Sequence, residues 1–289
     1  MKSQNSFAGT TGILYLVATP IGNLEDMTFR AIRTLQEADL IAAEDTRNTK
    51  KLCNHFEIQT PLFSYHEHNL LTGGDRIMEA LVEGKNVALV SDAGMPCISD
   101  PGADIAQRAI AAGFPVVPIP GANAALSALI ASGLPSQPFT FYGFLPRKKK
   151  ERKSELELLK TKKETLLFYE APHRLKEALK DMDEVIGSER EIVLARELTK
   201  KFEEFLRGTV GEALTWATEQ EIRGEFCIVL KGFEGEEESP DLWWSDLTLT
   251  NHVEQVMEMK GLTSKEAIKE VAAIRGISKR DVYQEYHVE

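Results

Sequence analysis

Apolar residues recur in two alternating rhythms along the first half of the chain. Residues 12–18 are apolar and β-rich, whereas in 24–38 Leu24, Met27, Ala31, Ile32 and Leu35 return at the three- and four-residue spacing of a helix face. Strand character resumes at 39–43. A helical pattern at 75–83 precedes an unbroken apolar run at 87–90, and a further buried strand is expected at 116–119. Strand, helix and strand in repetition predict a mostly parallel sheet covered on both faces. The second half repeats the theme after a basic stretch at 147–153, with strands expected near 165–169, 191–195, 205–208 and 226–230. The pattern predicts an α/β chain of two lobes joined near 120–136: 1–120, then 121–235, then 236–289 as a linker and small helical appendage.

Beyond Leu230 the texture changes. Gly232, Gly235, the acidic run 236–238 and Pro240 read as a solvated linker. Thr263 or Ser264 can cap a helix carrying Ala267, Ile268, Val271 and Ala272, Gly276 breaks it, and Ser278 can cap a second helix through Tyr283. Two short helices around one glycine outline a helix-turn-helix. A packing hairpin or a dimerisation appendage fits the same pattern.

Composition then narrows the classes. The 289 residues are 43% apolar and 27% charged, inside the globular range, which excludes a low-complexity or collagenous chain. Residues 109–146 carry no charge at all, longer than the roughly 20 residues that span a bilayer. Pro115, Pro118, Pro120, Pro135, Pro138 and Pro146 interrupt them, so the stretch reads as buried strand, turn, small-residue helix and strand. Cys53, Cys97 and Cys227 are far apart and without a C-x-x-C pair, against both a disulfide framework and a structural zinc site. With no hydrophobic signal segment in 1–12, a reducing cytoplasm is expected. The net charge of −11, from 34 basic and 45 acidic residues, means that any nucleic-acid partner must be held by a local basic patch.

Three loops follow predicted strands, where open α/β sheets bind their ligands. They are Ala18-Thr19-Pro20-Ile21-Gly22-Asn23, the stretch 91–102 with Asp92, Gly94, Pro96, Asp100, Pro101 and Gly102, and Pro120-Gly121-Ala122-Asn123-Ala124-Ala125. Each alone is also what an ordinary turn contains. Neither a G-x-x-x-x-G-K-[ST] phosphate loop nor a G-x-G-x-x-G after the first strand is present.

The runs Thr19-Pro20-Ile21-Gly22-Asn23-Leu24, Ala43-Glu44-Asp45-Thr46-Arg47, Ser91-Asp92-Ala93-Gly94, Ile98-Ser99-Asp100-Pro101-Gly102, Phe168-Tyr169-Glu170-Ala171-Pro172-His173-Arg174 and Ala195-Arg196-Glu197-Leu198-Thr199-Lys200 together resemble the rRNA-modifying branch of the tetrapyrrole methylase-like family. The match runs in order from about Ile13 to Lys231, and the C-terminal segment resembles the helix-turn-helix appendage of many members. Met95 stands where the family pattern usually has Thr, and Ala122-Asn123 replace the commoner Pro-Ser. The resemblance implies the two-lobed class III methyltransferase fold. It also implies methyl transfer from S-adenosylmethionine to the ribose 2′-hydroxyl of a cytidine in small-subunit (16S) rRNA, free or within the 30S subunit, by a homodimer with no DNA or membrane partner. By the same analogy Pro20, Asp92, Ala93, Gly94, Ile98, Asn123, Ala124, Tyr169 and Arg196 line the cofactor cleft.

A ribose hydroxyl is a poor nucleophile until deprotonated or strongly hydrogen-bonded, so a general base or a cationic stabiliser is expected. The catalytic candidates are Glu44, Asp45, Arg47 and Asp100, with His66, His68, Glu170 and His173 behind them; Glu44 and Arg47 also read as a simple ion pair. His66-Glu67-His68 has no further residues at metal-ligand spacing, and no metal is expected. Arg147, Lys148, Lys149, Lys150, Arg152 and Lys153, against Glu151 alone, form a basic loop suited to phosphates and adjoining aromatic residues that can stack a base. Lys50, Lys51, Lys162, Lys163 and, on the last helix, Lys279 and Arg280 are possible extensions. Two other readings stay open: methylation of a small tetrapyrrole, and a non-catalytic, S-adenosylmethionine-sensing RNA adaptor.

Overall fold

The computed structural model describes residues 1, 3–6, 11–100, 102–235, 243–244, 246–287. Five short runs pair side by side as one sheet: β1 (Leu14–Val17), β2 (Leu40–Ala43), β3 (Leu62–Ser64), β4 (Val87–Val90) and β5 (Val116–Ile119). Their order is β3-β2-β4-β1-β5 and every pairing is parallel. The fully buried Val-Ala-Leu-Val of β4 lies between two neighbours and beneath helices on both faces, as an all-parallel sheet requires. The helices are α1 (Phe29–Glu37), α2 (Thr46–His55), α3 (Leu70–Val82) and α4 (Gly102–Ala111). The helix read over 24–38 is in fact two pieces. Asn23 caps a 3-10 turn at Leu24–Asp26, and Thr28 then starts α1 by accepting from the Ala31 amide at 3.0 Å. Neither α2 nor β3 was evident in the apolar pattern, and α3 starts five residues earlier than the run 75–83.

A small-residue helix, α5 (Ala124–Ser132), leads into the second sheet: β6 (Phe139–Phe144), β7 (Thr165–Glu170), β8 (Glu191–Arg196), β9 (Glu204–Thr209) and β10 (Phe226–Leu230), in the order β6-β7-β10-β8-β9. Here the expectation of a mostly parallel sheet fails. Only β6 and β7 are parallel; β10 runs antiparallel to β7 and β8, and β8 to β9. The short 197–203 connection explains part of this, because a parallel return needs a crossover of a dozen residues or more. Helices α6 (Lys149–Leu159), α7 (Pro172–Ile186) and α8 (Val210–Glu219) cover the sheet, α8 opening with a Thr209–Glu212 capping box. The basic stretch is therefore mostly the first turn of a helix and not a loop.

The described chain clusters as Met1–Phe233 and Glu234–Glu289. The second unit holds three helices, one more than the sequence pattern suggested: α9 (Leu249–Lys260), α10 (Ser264–Arg275) and α11 (Lys279–His287), around Val253, Val256, Ile268, Val271 and Val282. Thr263 and Ser278 stand at the starts of α10 and α11 as read, and Gly276 ends α10 in the left-handed conformation. The linker residues 236–238 and 240, and Pro101, lie outside the described residues. No helix among the described residues is long and apolar enough to cross a membrane.

Candidate active site

Loops from the carboxyl ends of the first sheet meet loops of the second around a cavity of about 510 Å³. The loops after β1 and β4 are locked together: Thr19 and Gly94 exchange backbone bonds, N–H to carbonyl, at 2.9 and 3.1 Å. Gly94 has φ +79°, and a Cβ there would sit 3.3 Å from Ile21 Cγ2. A Cβ on Gly121, after β5, would lie 2.7 Å from the Ala18 Cβ, so two of the three strand-end loops touch at a point where only glycine fits. Farther along the β4 loop, Cys97 and Ser99 hold φ +71° and +63°; opposite, after β8, Glu197 and Thr199 hold +51° and +66°. Non-glycine residues in that region cost of order 1 kcal/mol or more each and collect at ligand sites.

The sequence candidates separate into three groups. Ala93, Gly94, Ile98, Asn123, Ala124 and Tyr169 line the main cavity, as do Glu44 and Asp100. Asn123 caps α5 through Leu126 N at 2.9 Å, and the Tyr169 hydroxyl accepts from Ala125 N at 3.2 Å, tying the second sheet to that helix start. Pro20 and Asp92 instead line an adjoining pocket of about 240 Å³ with Asn48, Thr49 and Lys51. Arg196 lines neither; its guanidinium donates to Arg223 O at 2.7 Å and meets Glu204 at 3.1 Å. Asp45 and Arg47 also stand apart from the main cavity. The two form a forked pair at 3.0 and 2.7 Å, so Arg47 partners Asp45 and not Glu44, and this pairing holds the Asp45 carboxyl down at about 2. Glu44 takes the Asp92 amide at 3.2 Å.

Of the basic stretch, Arg147 and Lys150 are exposed, Lys148 pairs with Glu151, and Lys153 pairs with Glu184. Arg152 corrects the reading outright: it is 2% exposed and binds Asp181 at 2.7 Å through both Nε and an Nη, so it faces no phosphate. Glu170, His173, Lys200, Glu225 and Cys227 line the cavity from the second lobe; Cys227 lies on β10 and Glu225 immediately before it, and no motif pointed to that strand.

The cavity is electronegative. Glu44, Asp100, Glu170 and Glu225 line it against the ammonium of Lys200, which is shared between Glu197 at 2.9 Å and Glu225 at 3.0 Å. Asp100 Oδ1 accepts from Cys97 N at 2.9 Å and Gly102 N at 2.7 Å, while its Oδ2 is buried without a partner; Glu170 Oε2 is in the same state. Burial raises all three carboxyls, Glu44, Asp100 and Glu170, above the usual range. It also pushes the Tyr169 phenol and the Cys227 thiol up to about 12, so both stay neutral. Unpartnered carboxylate oxygens in a roomy cavity suit a ligand with ammonium, sulfonium or hydroxyl groups. Among the described residues no cluster has the makings of a metal site.

Residues 13–214 match the family model of tetrapyrrole (corrin/porphyrin) methylases. A ribosomal RNA small subunit methyltransferase I from Bacillus subtilis (strain 168) is 60% identical over all of this chain and 99% of its own length. One of the same name from Synechocystis is 47% identical over 94% of this chain and 96% of its own length. Among solved structures, uroporphyrin-III C-methyltransferase from Thermus thermophilus in complex with S-adenosyl homocysteine aligns with TM-score 0.55 and 18% identity, over 76% of this chain and 97% of that one.

Proposed function

Because the chain belongs to the tetrapyrrole (corrin/porphyrin) methylase family, we infer from that membership that it is an S-adenosylmethionine-dependent methyltransferase acting on small-subunit ribosomal RNA. The observation that carries the substrate is the full-length match to relatives bearing that name. We propose further that the acceptor is the ribose 2′-hydroxyl of a cytidine, that the working substrate is the 30S subunit, and that the enzyme is a cytoplasmic homodimer. In this reading 1–120 and 121–235 supply the two walls of the cleft and 236–289 an accessory unit.

The cavity fits the methyl donor by charge and by the orphaned Asp100 Oδ2 on the β4 loop. Ala93, Gly94, Ile98, Asn123, Ala124 and Tyr169 would hold the donor, with Pro20 and Asp92 at its edge. When bound it supplies an electrophilic methyl group on a positively charged sulfur. The negative wall of Glu44 and Asp100 favours that cation, and the Thr19–Gly94 lock fixes the loops on which position depends. Arg47, 86% exposed, stands at the α2 end of the smaller pocket with Lys50 and Lys51 on the same helix, where phosphates of an incoming strand would meet them. Arg147, Lys148, Lys149 and Lys150 offer a second basic contact.

The direct test incubates the protein with labelled S-adenosylmethionine and small ribosomal subunits from cells that lack it, then maps the label with nucleases. Label on one cytidine ribose is the expected result. Label on a base would overturn the ribose proposal, and no label on subunits or naked rRNA, with the donor bound, would overturn the substrate.

A further inference from the structure

We infer that Glu170 is the group that removes the proton from the acceptor hydroxyl, and that Arg174 positions it. The inference rests on the reading of the cavity as the site of RNA methyl transfer.

Glu170 is the last residue of β7 and is 2% exposed, yet it lines the cavity and its Oε2 has no partner. Its other oxygen is occupied: Oε1 accepts from Ala171 N at 2.9 Å and is ion-paired with Arg174, whose Nε stands 3.3 Å away without a hydrogen bond. A buried carboxylate oxygen left without a donor is destabilising unless a ligand completes it. Asp100 Oδ2 is the other such atom in the cavity. The two come from different sheets and keep different company. Asp100 belongs to the same strand-end loop as Ala93, Gly94 and Ile98, the wall assigned to the methyl donor.

Glu170 is wired to the basic side. Arg174 reaches from it to the carbonyls of Leu145, at 2.6 Å, and Pro146, at 3.4 Å, which immediately precede Arg147. A strand whose phosphates are held at Arg147 and Lys148–Lys150 would therefore enter beside Glu170. Phe144, half exposed, and Tyr169 line the same cavity with ring centroids 5.7 Å apart and give a base an aromatic surface.

The step balances without a further reagent. The 2′-oxygen bonds to the methyl carbon as the carbon–sulfur bond breaks and its electron pair stays on sulfur; the hydroxyl proton passes to Glu170 Oε2 and from there to solvent. The charges facing Glu170 are Arg174 and His173 on α7 and Arg152 on α6, all of which oppose the upward effect of its burial. Burial prevails, and a carboxylate made more basic in this way is better matched to proton abstraction near neutrality.

Glu170→Gln and Asp100→Asn are compared with the wild type in single-turnover methylation of unmodified small subunits across pH, together with calorimetric binding of S-adenosylmethionine and thermal melting. Glu170→Gln is expected to bind the donor within about threefold of wild type, to lose 10²–10⁴-fold in rate, and to lose the acid limb of the profile. A rate within threefold of wild type overturns the inference, and so does a loss of donor affinity that accounts for the rate. Should the variant not fold, the wild-type profile decides: a rate that is flat from pH 5 to 8 overturns the base, and an acid limb kept in Asp100→Asn sustains it. Wild type that binds the donor and labels no rRNA refutes the substrate reading and this inference with it, whereas an active wild type and an active Glu170→Gln refute Glu170 alone.

Discussion

If Arg152 belongs to the interior, replacing it should unfold the protein before it weakens any RNA contact. Its guanidinium binds Asp181 Oδ2 at 2.7 Å, the Arg147 carbonyl at 3.1 Å and the Pro146 carbonyl at 3.4 Å, with both charged side chains 2% exposed. Removing one member strands the other in a water-poor site. Asp181→Ala leaves the cation with the two carbonyls and the mostly exposed Glu177 at 3.6 Å, and Arg152→Ala leaves the carboxylate with Lys149 at 3.8 Å. Breaking a buried pair in this way costs about 3–5 kcal/mol. With a urea dependence near 3 kcal/mol/M, the midpoint of the unit Met1–Phe233 should fall by about 1–1.7 M, read by far-ultraviolet circular dichroism. The double variant Arg152→Met/Asp181→Leu removes both charges at similar volume and should recover most of the loss. Lys150→Ala supplies the contrast: unchanged stability, with the salt slope of RNA binding reduced by about one unit. Arg152→Ala with an unchanged urea midpoint and a Lys150-like loss of salt slope would refute the burial argument and return Arg152 to the RNA surface.

The strand-end lock gives a second test: Gly94→Ala, at φ +79° and against Ile21, should cost about 1–2 kcal/mol locally and weaken S-adenosylmethionine binding by tenfold or more in calorimetry, with little change in overall melting. Because Glu44, Asp100 and Glu170 are raised by burial, each charges less readily in the folded chain than when unfolded; their protonation favours the fold as pH falls through the raised values, while the cationic donor loses Glu44 and Asp100 as partners. Donor affinity should therefore begin to fall on acidification above the ordinary carboxylate range of about 4–4.5, and Asp100→Asn should flatten the curve. In the C-terminal unit His252 is fully buried, stacked on Trp244, and accepts from Arg275 Nε at 3.1 Å; burial and that cation depress its pKa. Stability of α9–α11 present above pH 6.5 should then be lost as pH falls below the unfolded value, and tryptophan fluorescence during acid titration checks it.

What the sequence revealed depended on whether local pattern or distant pairing decides the structure. Continuous apolar runs such as 87–90 and 226–230 marked buried strands, because a strand covered on both faces has no polar alternation to lose. Their direction in the second sheet was invisible, since β10 inserts between β7 and β8 from far along the chain and nothing in Phe226–Leu230 records it. Polar α2 was missed for the opposite reason: only Thr49, Leu52 and Cys53 are buried, too thin a stripe for periodicity to register. Among site residues the Gly- and Asp-rich loops of the first lobe were legible through turn chemistry. Glu225 and Cys227 were not, because a strand end contributes to a cavity only after the two sheets face one another.

The same distinction explains why charge runs misled while motif order did not. Six basic residues within 147–153 look equivalent on paper, but a helix begins at Lys149, and one side of its first turn must face α7. Arg152 falls on that side and is consumed by Asp181; Lys153 reaches Glu184 on the same neighbour, and Arg147 and Lys150 are left to solvent. The basic surface presented to a polyanion is thus smaller than the run suggests, and on a chain of net charge −11 it cannot supply affinity by attraction alone. Selectivity then depends on shape at the cleft, where Cys97, Ser99, Glu197 and Thr199 hold positive φ in two loops, three of them through local hydrogen bonds to Asp100, Glu225 and Glu203. Glycine at these four positions relieves the strain of positive φ and should raise the urea midpoint while lowering turnover, checked by circular dichroism and the methylation assay.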